Sequence, residues 1–135
     1  MLTEHVLSGF SMFPVLRPGE RVLLKPAVHT EIQKGDLVAF FVGPQKAVLH
    51  RVHAVHDGHL ICRGDANSFW DEPVDRDKVI GVLEMVRKSD TEWRPASAYQ
   101  KKMFLTRYYG FYARLVRRTY ILLTIFKARI SHSLK

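Results

Sequence analysis

Short apolar runs broken by turn-forming residues occupy the chain from Val6 to about Val86, and a helical period takes over after Arg94-Pro95. The runs Arg21 to Leu24, Leu37 to Val42, Ala47 to Val55, His59 to Cys62 and Val79 to Val86 are rich in β-branched and aromatic residues and predict strands. Arg-Pro-Gly-Glu at 17–20, Lys-Gly-Asp at 34–36, Gly43-Pro44, Asp57-Gly58 and Gly64-Asp65 separate them. Asp-Gly between two such runs is a strong hairpin signal, because both residues tolerate positive φ. It predicts that residues 48–55 and 59–63 are the two arms of one hairpin.

From Ser97 to about Ile130 the apolar positions follow a period of about 3.6 residues. At 100° per residue, Arg107, Arg114, Arg118 and Arg129 fall within about 60° of one another, with Leu105, Tyr109, Tyr112, Val116, Leu123 and Ile130 on the far side. The reading is a mainly β domain over residues 1–94, followed by a basic amphipathic helical tail over residues 95–135. Gly110 weakens or bends that helix, since glycine costs about 1 kcal/mol in a helix interior relative to alanine.

Composition narrows the class. At 135 residues with 47% hydrophobic and 25% charged, the chain can bury one core, and neither disorder nor a repeat architecture fits. The single cysteine, Cys62, forms no internal disulfide, and no Cys-x-x-Cys pair is present to hold zinc. The formal net charge of +8 is unevenly divided. Residues 1–92 carry 11 Lys/Arg and 13 Asp/Glu, net −2, whereas residues 93–135 carry 10 Lys/Arg and no acid, net +10. Such a basic block favours phosphate-bearing surfaces, either lipid headgroups or nucleic acid, against the plainer reading of a solvated basic helix. The start of the chain lacks the basic and apolar regions of a signal peptide. The apolar stretch Thr119 to Phe126 is far shorter than the about 20 residues a spanning helix needs.

Four histidines, His50, His53, His56 and His59, stand three residues apart. On a helix this spacing would gather them as metal ligands. On a strand, alternation sends His50 and His56 to one face and His53 to the other, so no metal site is expected. Ser11 lies in the turn-rich segment Gly9-Phe10-Ser11-Met12-Phe13-Pro14. A serine hydroxyl becomes a nucleophile when a base takes its proton, and a third group usually orients that base. His50 is a candidate base, with Asp65 and Asp71 as candidate orienting acids; the plainer reading makes the serine and aspartates turn formers and caps.

Five segments in order strengthen the enzymatic reading: Gly9-x-Ser11-Met12-x-Pro14-x-Leu16-x-x-Gly19, Lys34-Gly35-Asp36-Leu37-Val38-Ala39-Phe40, His50-Arg51-Val52, Gly64-Asp65-x-Asn67-x-x-x-Asp71 and Val79-Ile80-Gly81-Val82-Leu83. Together they resemble the conserved boxes of the signal peptidase I family over residues 8–86. The resemblance implies a mostly β serine endopeptidase that removes signal peptides after small residues without a metal or other cofactor. Histidine at position 50 resembles the archaeal and endoplasmic-reticulum branch, whose base is histidine rather than lysine. The carry-over makes Ser11 the nucleophile, His50 the general base, and Asp65 and Asp71 that branch's two aspartates. Spacing does not say which carboxylate reaches the imidazole; Asp65 is the first choice to orient His50, and Asp71 the second. Histidine titrates near about 6.5 and lysine near about 10.4, so the histidine site needs less burial to work at neutral pH.

The backbone N–H of Ser11 is the expected oxyanion donor. Relatives that add a serine two residues before the nucleophile differ from this chain, which has Gly9 there and Ser8 one place earlier. Membrane-bound relatives usually carry a spanning helix ahead of the nucleophile, whereas ten residues precede Ser11 here. The basic tail is expected to stand in for it, with Arg107, Arg114 and Arg118 on anionic headgroups and the apolar side in the interface, giving a peripheral membrane protein. The alternative places Leu105, Tyr112, Val116 and Leu123 against the β domain. The expected substrate is an extended signal or leader peptide. Another class of function is an inactive peptide-, membrane- or nucleic-acid-binding module, in which Tyr108, Tyr109, Phe111 and Tyr112 beside Arg107 and Arg114 stack bases. No nucleic-acid motif supports that use of the tail.

Overall fold

The computed structural model describes residues 1–89, 91–100 and 115–125. It is mainly β: among the described residues, eight antiparallel strands form one sheet in the order β1-β2-β7-β3-β4-β5-β6, with β8 paired to β7. The strands are β1 (Thr3–Val6), β2 (Arg21–Pro26), β3 (Leu37–Val42), β4 (Lys46–His56), β5 (His59–Arg63), β6 (Val74–Asp75), β7 (Val79–Arg87) and β8 (Arg94–Pro95). The five strands expected from the apolar runs all form, within two residues of their predicted ends.

Strand β3 explains how the core is divided. Its first four residues are buried, and alternate side chains serve opposite clusters. Leu37 and Ala39 join Met12, Leu16, Val22, Leu24 and Val86, whereas Val38 and Phe40 join Val52, Leu60, Cys62 and Val82. A strand covered on both faces reads as a continuous apolar run because neither parity meets water. By contrast β2 alternates, burying Val22 and Leu24 and exposing Arg21. Strand β1 is exposed at all four positions and, among the described residues, pairs only with β2, so its apolar pattern carried no signal.

The β4–β5 hairpin turns at Asp57-Gly58, with His56 opposite His59. Only Gly58 takes positive φ, at 78°, so the turn needs glycine at one position rather than left-handed geometry at both. Strand β4 changes partners along its length. Lys46 to Arg51 pair with β3, and Arg51 to His56 pair with β5, with a bulge that leaves His53 unmatched. The edge of residues 46–50 that faces away from β3 therefore has no strand partner among the described residues.

The predicted boundary after residue 94 needs correction. Strand β8 straddles it, pairing Arg94 with Val86 and Pro95 with Met85. Ala96 and Tyr99 are buried in the core, and helix α1 (Ser97–Gln100) starts where the helical period starts. The β unit thus runs at least to Gln100, because residues 94–99 supply both a strand partner and core side chains. Residues 115–125 are helical. Arg107, Arg114 and the other tail positions in 101–114 and 126–135 lie outside the described residues. Arg118 is exposed. Of the four positions named in the packing alternative, Leu105 and Tyr112 lie outside the described residues, and Val116 and Leu123 are 36% and 60% exposed. No helix among the described residues is long and apolar enough to cross a membrane.

Candidate active site

His50 sits on β4 opposite Val38 of β3, 4% exposed, with its ring edge-on to Phe40 at 5.8 Å between centroids. Its Nδ1 lies 2.6 Å from Oδ2 of Asp71. The carboxylate accepts the Nδ1–H, which leaves Nε2 as the ring's unprotonated, basic nitrogen. That Nε2 is buried and has no hydrogen-bond partner among the described residues. A buried polar atom without a partner is costly, which singles out Nε2 as a functional candidate.

The acid that meets His50 is Asp71, the second choice of the sequence reading, and not Asp65, the first. Asp65 is engaged elsewhere: its two carboxylate oxygens accept from Nε and Nη2 of Arg51, both at 2.8 Å, with the side chains 1% and 0% exposed. The remaining Arg51 donor, Nη1, reaches the carbonyls of Gly35 and Tyr99 at 3.1 and 3.2 Å. Consecutive residues on β4 point to opposite faces, so His50 and Arg51 cannot share one acid. Asp71 reaches His50 because its own N–H donates to the Cys62 carbonyl at 3.0 Å on β5. Trp70 fixes the same loop, held between the His53 ring at 5.0 Å and the Arg63 guanidinium at 4.5 Å. Burial, chiefly, and the Arg63 charge lower the pKa of His53 below its ordinary 6.5, which suits it to act as a neutral aromatic partner.

Ser11 occupies a tight turn closed by Phe13 N–H to Phe10 carbonyl and Leu16 N–H to Met12 carbonyl bonds, both 3.0 Å. The Asp65 loop grips this turn from behind. The Ala66 N–H donates to the Ser11 carbonyl at 2.8 Å, and the Asp65 N–H approaches Met12 Sδ at 3.4 Å. Asp65 therefore acts as a positioning residue for the serine turn through its ion pair with Arg51. Neither the hydroxyl nor the N–H of Ser11 has a hydrogen-bond partner among the described residues. Ser11, His50 and Asp71 line one cleft of about 600 Å³, and Ser8 and Gly9 line it beside them. The direct Ser11–His50 hydrogen bond is not formed, and catalytic bonds of this kind often tighten only with substrate bound. Ser8 offers this cleft a second hydroxyl beside that of Ser11.

Gly64 explains how closely the two loops meet. A Cβ there would stand 2.6 Å from the Ser11 carbonyl oxygen and 2.8 Å from Asn67 Nδ2. Backbone cannot yield as a side-chain tip can, so Gly64→Ala should shift the Ser11 turn and destabilise the fold by about 1–3 kcal/mol. Urea denaturation beside a turnover assay checks this; unchanged values for both would show that the turn tolerates displacement.

The remaining sequence candidates separate. His56 and His59 are exposed near the Asp57-Gly58 turn, with His59 Nε2 3.1 Å from Asp75, and no three metal-binding side chains gather among the described residues. Cys62 is buried, and burial, with the nearby Asp71 charge, pushes its thiol up to about 12, so it stays protonated at neutral pH. Asp36 holds a turn, accepting from the Gln33 N–H at 2.8 Å and Gln100 Nε2 at 2.6 Å. Sequence reasoning missed Arg51 and Trp70 as parts of the site. The position of Arg51 directly after His50 was a signal for the first, and Trp70 directly before Asp71 for the second.

No known protein-family model matches the chain, and no significant match is found among curated proteins. What supports a class for this protein is therefore the site together with the short sequence boxes.

Proposed function

We propose that this protein is a serine endopeptidase of the signal peptidase I type, using histidine as its base, and that it cuts an extended signal or leader peptide. The observation that carries the reading is the buried His50, oriented through Nδ1 by Asp71 and open at Nε2, in the same cleft as an unpartnered Ser11. In the reaction, Nε2 takes the Ser11 hydroxyl proton as Oγ attacks the scissile carbonyl. The Ser11 N–H donates to the oxyanion, a contribution of about 3 kcal/mol in comparable sites. The imidazolium returns its proton to the departing amine, leaving an ester on Ser11. Nε2 then deprotonates water, whose attack releases the acid product and restores the serine.

Two open strand edges support a peptide substrate. Lys46 to Leu49 of β4, leading directly to His50, and His5 and Val6 of β1 all line the cleft, and neither run is paired on its outer side among the described residues. A chain laid along such an edge gains main-chain hydrogen bonds, with alternate side chains read by shallow pockets. Apolar lining from Val22, Leu24, Ala39 and Val48 fits small side chains.

Peripheral membrane attachment is part of the same proposal. Leu115, Leu122, Leu123 and Ile125 of the tail helix are 50–61% exposed beside the exposed Arg118, and the hydroxyls of Thr119 and Thr124 bond back to the carbonyls of Leu115 and Tyr120. An apolar surface with a strong positive charge and no acid is suited to anionic lipid.

The test is mass-spectrometric cleavage of a panel of precursor and leader peptides, with and without anionic vesicles, alongside covalent labelling by a serine-directed phosphonate. Cuts and Ser11 labelling that vanish in Ser11→Ala and His50→Ala are expected, with vesicles increasing turnover. Wild type indistinguishable from both variants would favour an inactive binding module, and turnover indifferent to vesicles would remove the membrane role.

A further inference from the structure

The tail helix does more than flank the cleft. Tyr120 packs on Phe13 at 5.4 Å and edge-on to Phe10 at 6.2 Å, the two aromatic residues on either side of the Ser11-Met12 pair. One turn earlier on the same helix, the half-buried Arg117 becomes part of the cleft wall. Across the sequence, Lys46 at the start of β4 lines the same cleft. Among the described residues that line the cleft, the one carboxylate, Asp71, is already bonded to His50. Neither Arg117 nor Lys46 has a side-chain partner among the described residues. A largely apolar cleft with two unpaired cations and no free acid is complementary to a chain that brings its own carboxylate.

We infer that Arg117 and Lys46 are specificity-determining residues that select peptides carrying an aspartate or glutamate close to the scissile bond. The inference rests on the cleft being a peptide site, as proposed above, and adds the chemistry of the peptide. The strand sets the spacing. Lys46 precedes His50 by four residues, and an extended chain advances about 3.3 Å per residue, so the acid reaches Lys46 about four residues from the bond held at His50. Arg117, carried by the helix rather than the strand, supplies a second and bidentate partner for the same carboxylate or for a neighbouring one. Selectivity of this kind belongs to a dedicated precursor rather than to a broad set of small-residue sites.

The experiment uses the full-length Ser11→Ala protein, which cannot turn over, and fluorescent peptides of one sequence in which an aspartate is scanned across the positions on both sides of the cut, each beside its asparagine counterpart. Anisotropy titrations should show the aspartate peptide binding about 10-fold tighter at its best position, in keeping with a charge-assisted hydrogen bond. The preference should fall with Arg117→Gln or Lys46→Gln, vanish when both are changed, and survive Arg118→Gln, whose side chain is outside the cleft. Equal binding of acid and amide peptides, no binding of either, or a preference that persists in the double variant would overturn the inference. Loss with Arg118→Gln to the same degree would also overturn it, by reducing the effect to general attraction by the basic tail. Incubating the wild type with the same peptides separates this from the protease proposal: acid-selective binding without any cut would sink catalysis alone, and cutting without acid preference would sink selectivity alone.

Discussion

Asp71→Asn will lower kcat by about 10⁴-fold while leaving stability nearly unchanged. Asparagine fills the same volume, so the loop held by Cys62 and Trp70 keeps its shape. What changes is the hydrogen bond at Nδ1. The carboxylate accepts the Nδ1–H at 2.6 Å and, in the proposed mechanism, stabilises the imidazolium formed when Ser11 gives up its proton. An amide can present its NH₂ group instead, which favours the tautomer protonated at Nε2, where the base must be free; a loss of this size follows from the same change in a serine-protease triad. The measurement is kcat on a cleaved peptide beside a urea denaturation curve. Retention of activity within a few-fold would remove Asp71 from the mechanism and leave His50 oriented by packing against Phe40 alone.

Asp65→Ala should give the opposite signature, a loss of about 3–5 kcal/mol in stability. Arg51 is fully buried, and removing its carboxylate strands a charge where water cannot reach it. The effect reaches the site through the Ala66–Ser11 and Asp65–Met12 contacts, so surviving activity should fall because the serine turn loosens. Changing both partners, Arg51→Met with Asp65→Ala, removes the stranded charge and should recover part of the lost stability. The double variant unfolding at lower denaturant than Asp65→Ala alone would contradict this. Taken together, the two expected results separate the aspartates by observable: turnover in a stable protein for Asp71, and stability of the scaffold behind Ser11 for Asp65.

The difference between these acids shows where sequence reasoning reaches its limit. Asp65 and Asp71 stand six residues apart in one box, and spacing does not say which of them reaches the imidazole. The pairing depends on which face of β4 each neighbour meets, and on the Cys62 carbonyl that draws Asp71 back toward the sheet. Neither is a local property. The same holds for the domain boundary: Arg94-Pro95 reads as a break, yet it forms β8 because β7 has a free edge beyond its pairing with β3 at residues 85 and 86. Strand β1 escapes prediction because all its side chains are exposed, and only pairing with β2 makes it a strand.

By itself the sequence determined the elements whose cause is local. Alternation, β-branched runs and the Asp57-Gly58 turn defined five strands and a hairpin, because backbone sterics and one-sided burial act over a few residues. It also brought forward Ser11, His50, Asp65 and Asp71 as candidates, by residue type and by the resemblance of five short boxes. Tertiary structure decided which of them meet. Hydrogen bonds act only over about 3 Å, and which groups come that close depends on strand parity, register and loop anchoring. The placement of Arg117 in the cleft was decided there too, by the packing of Tyr120 against Phe10 and Phe13, more than 100 positions away in the chain.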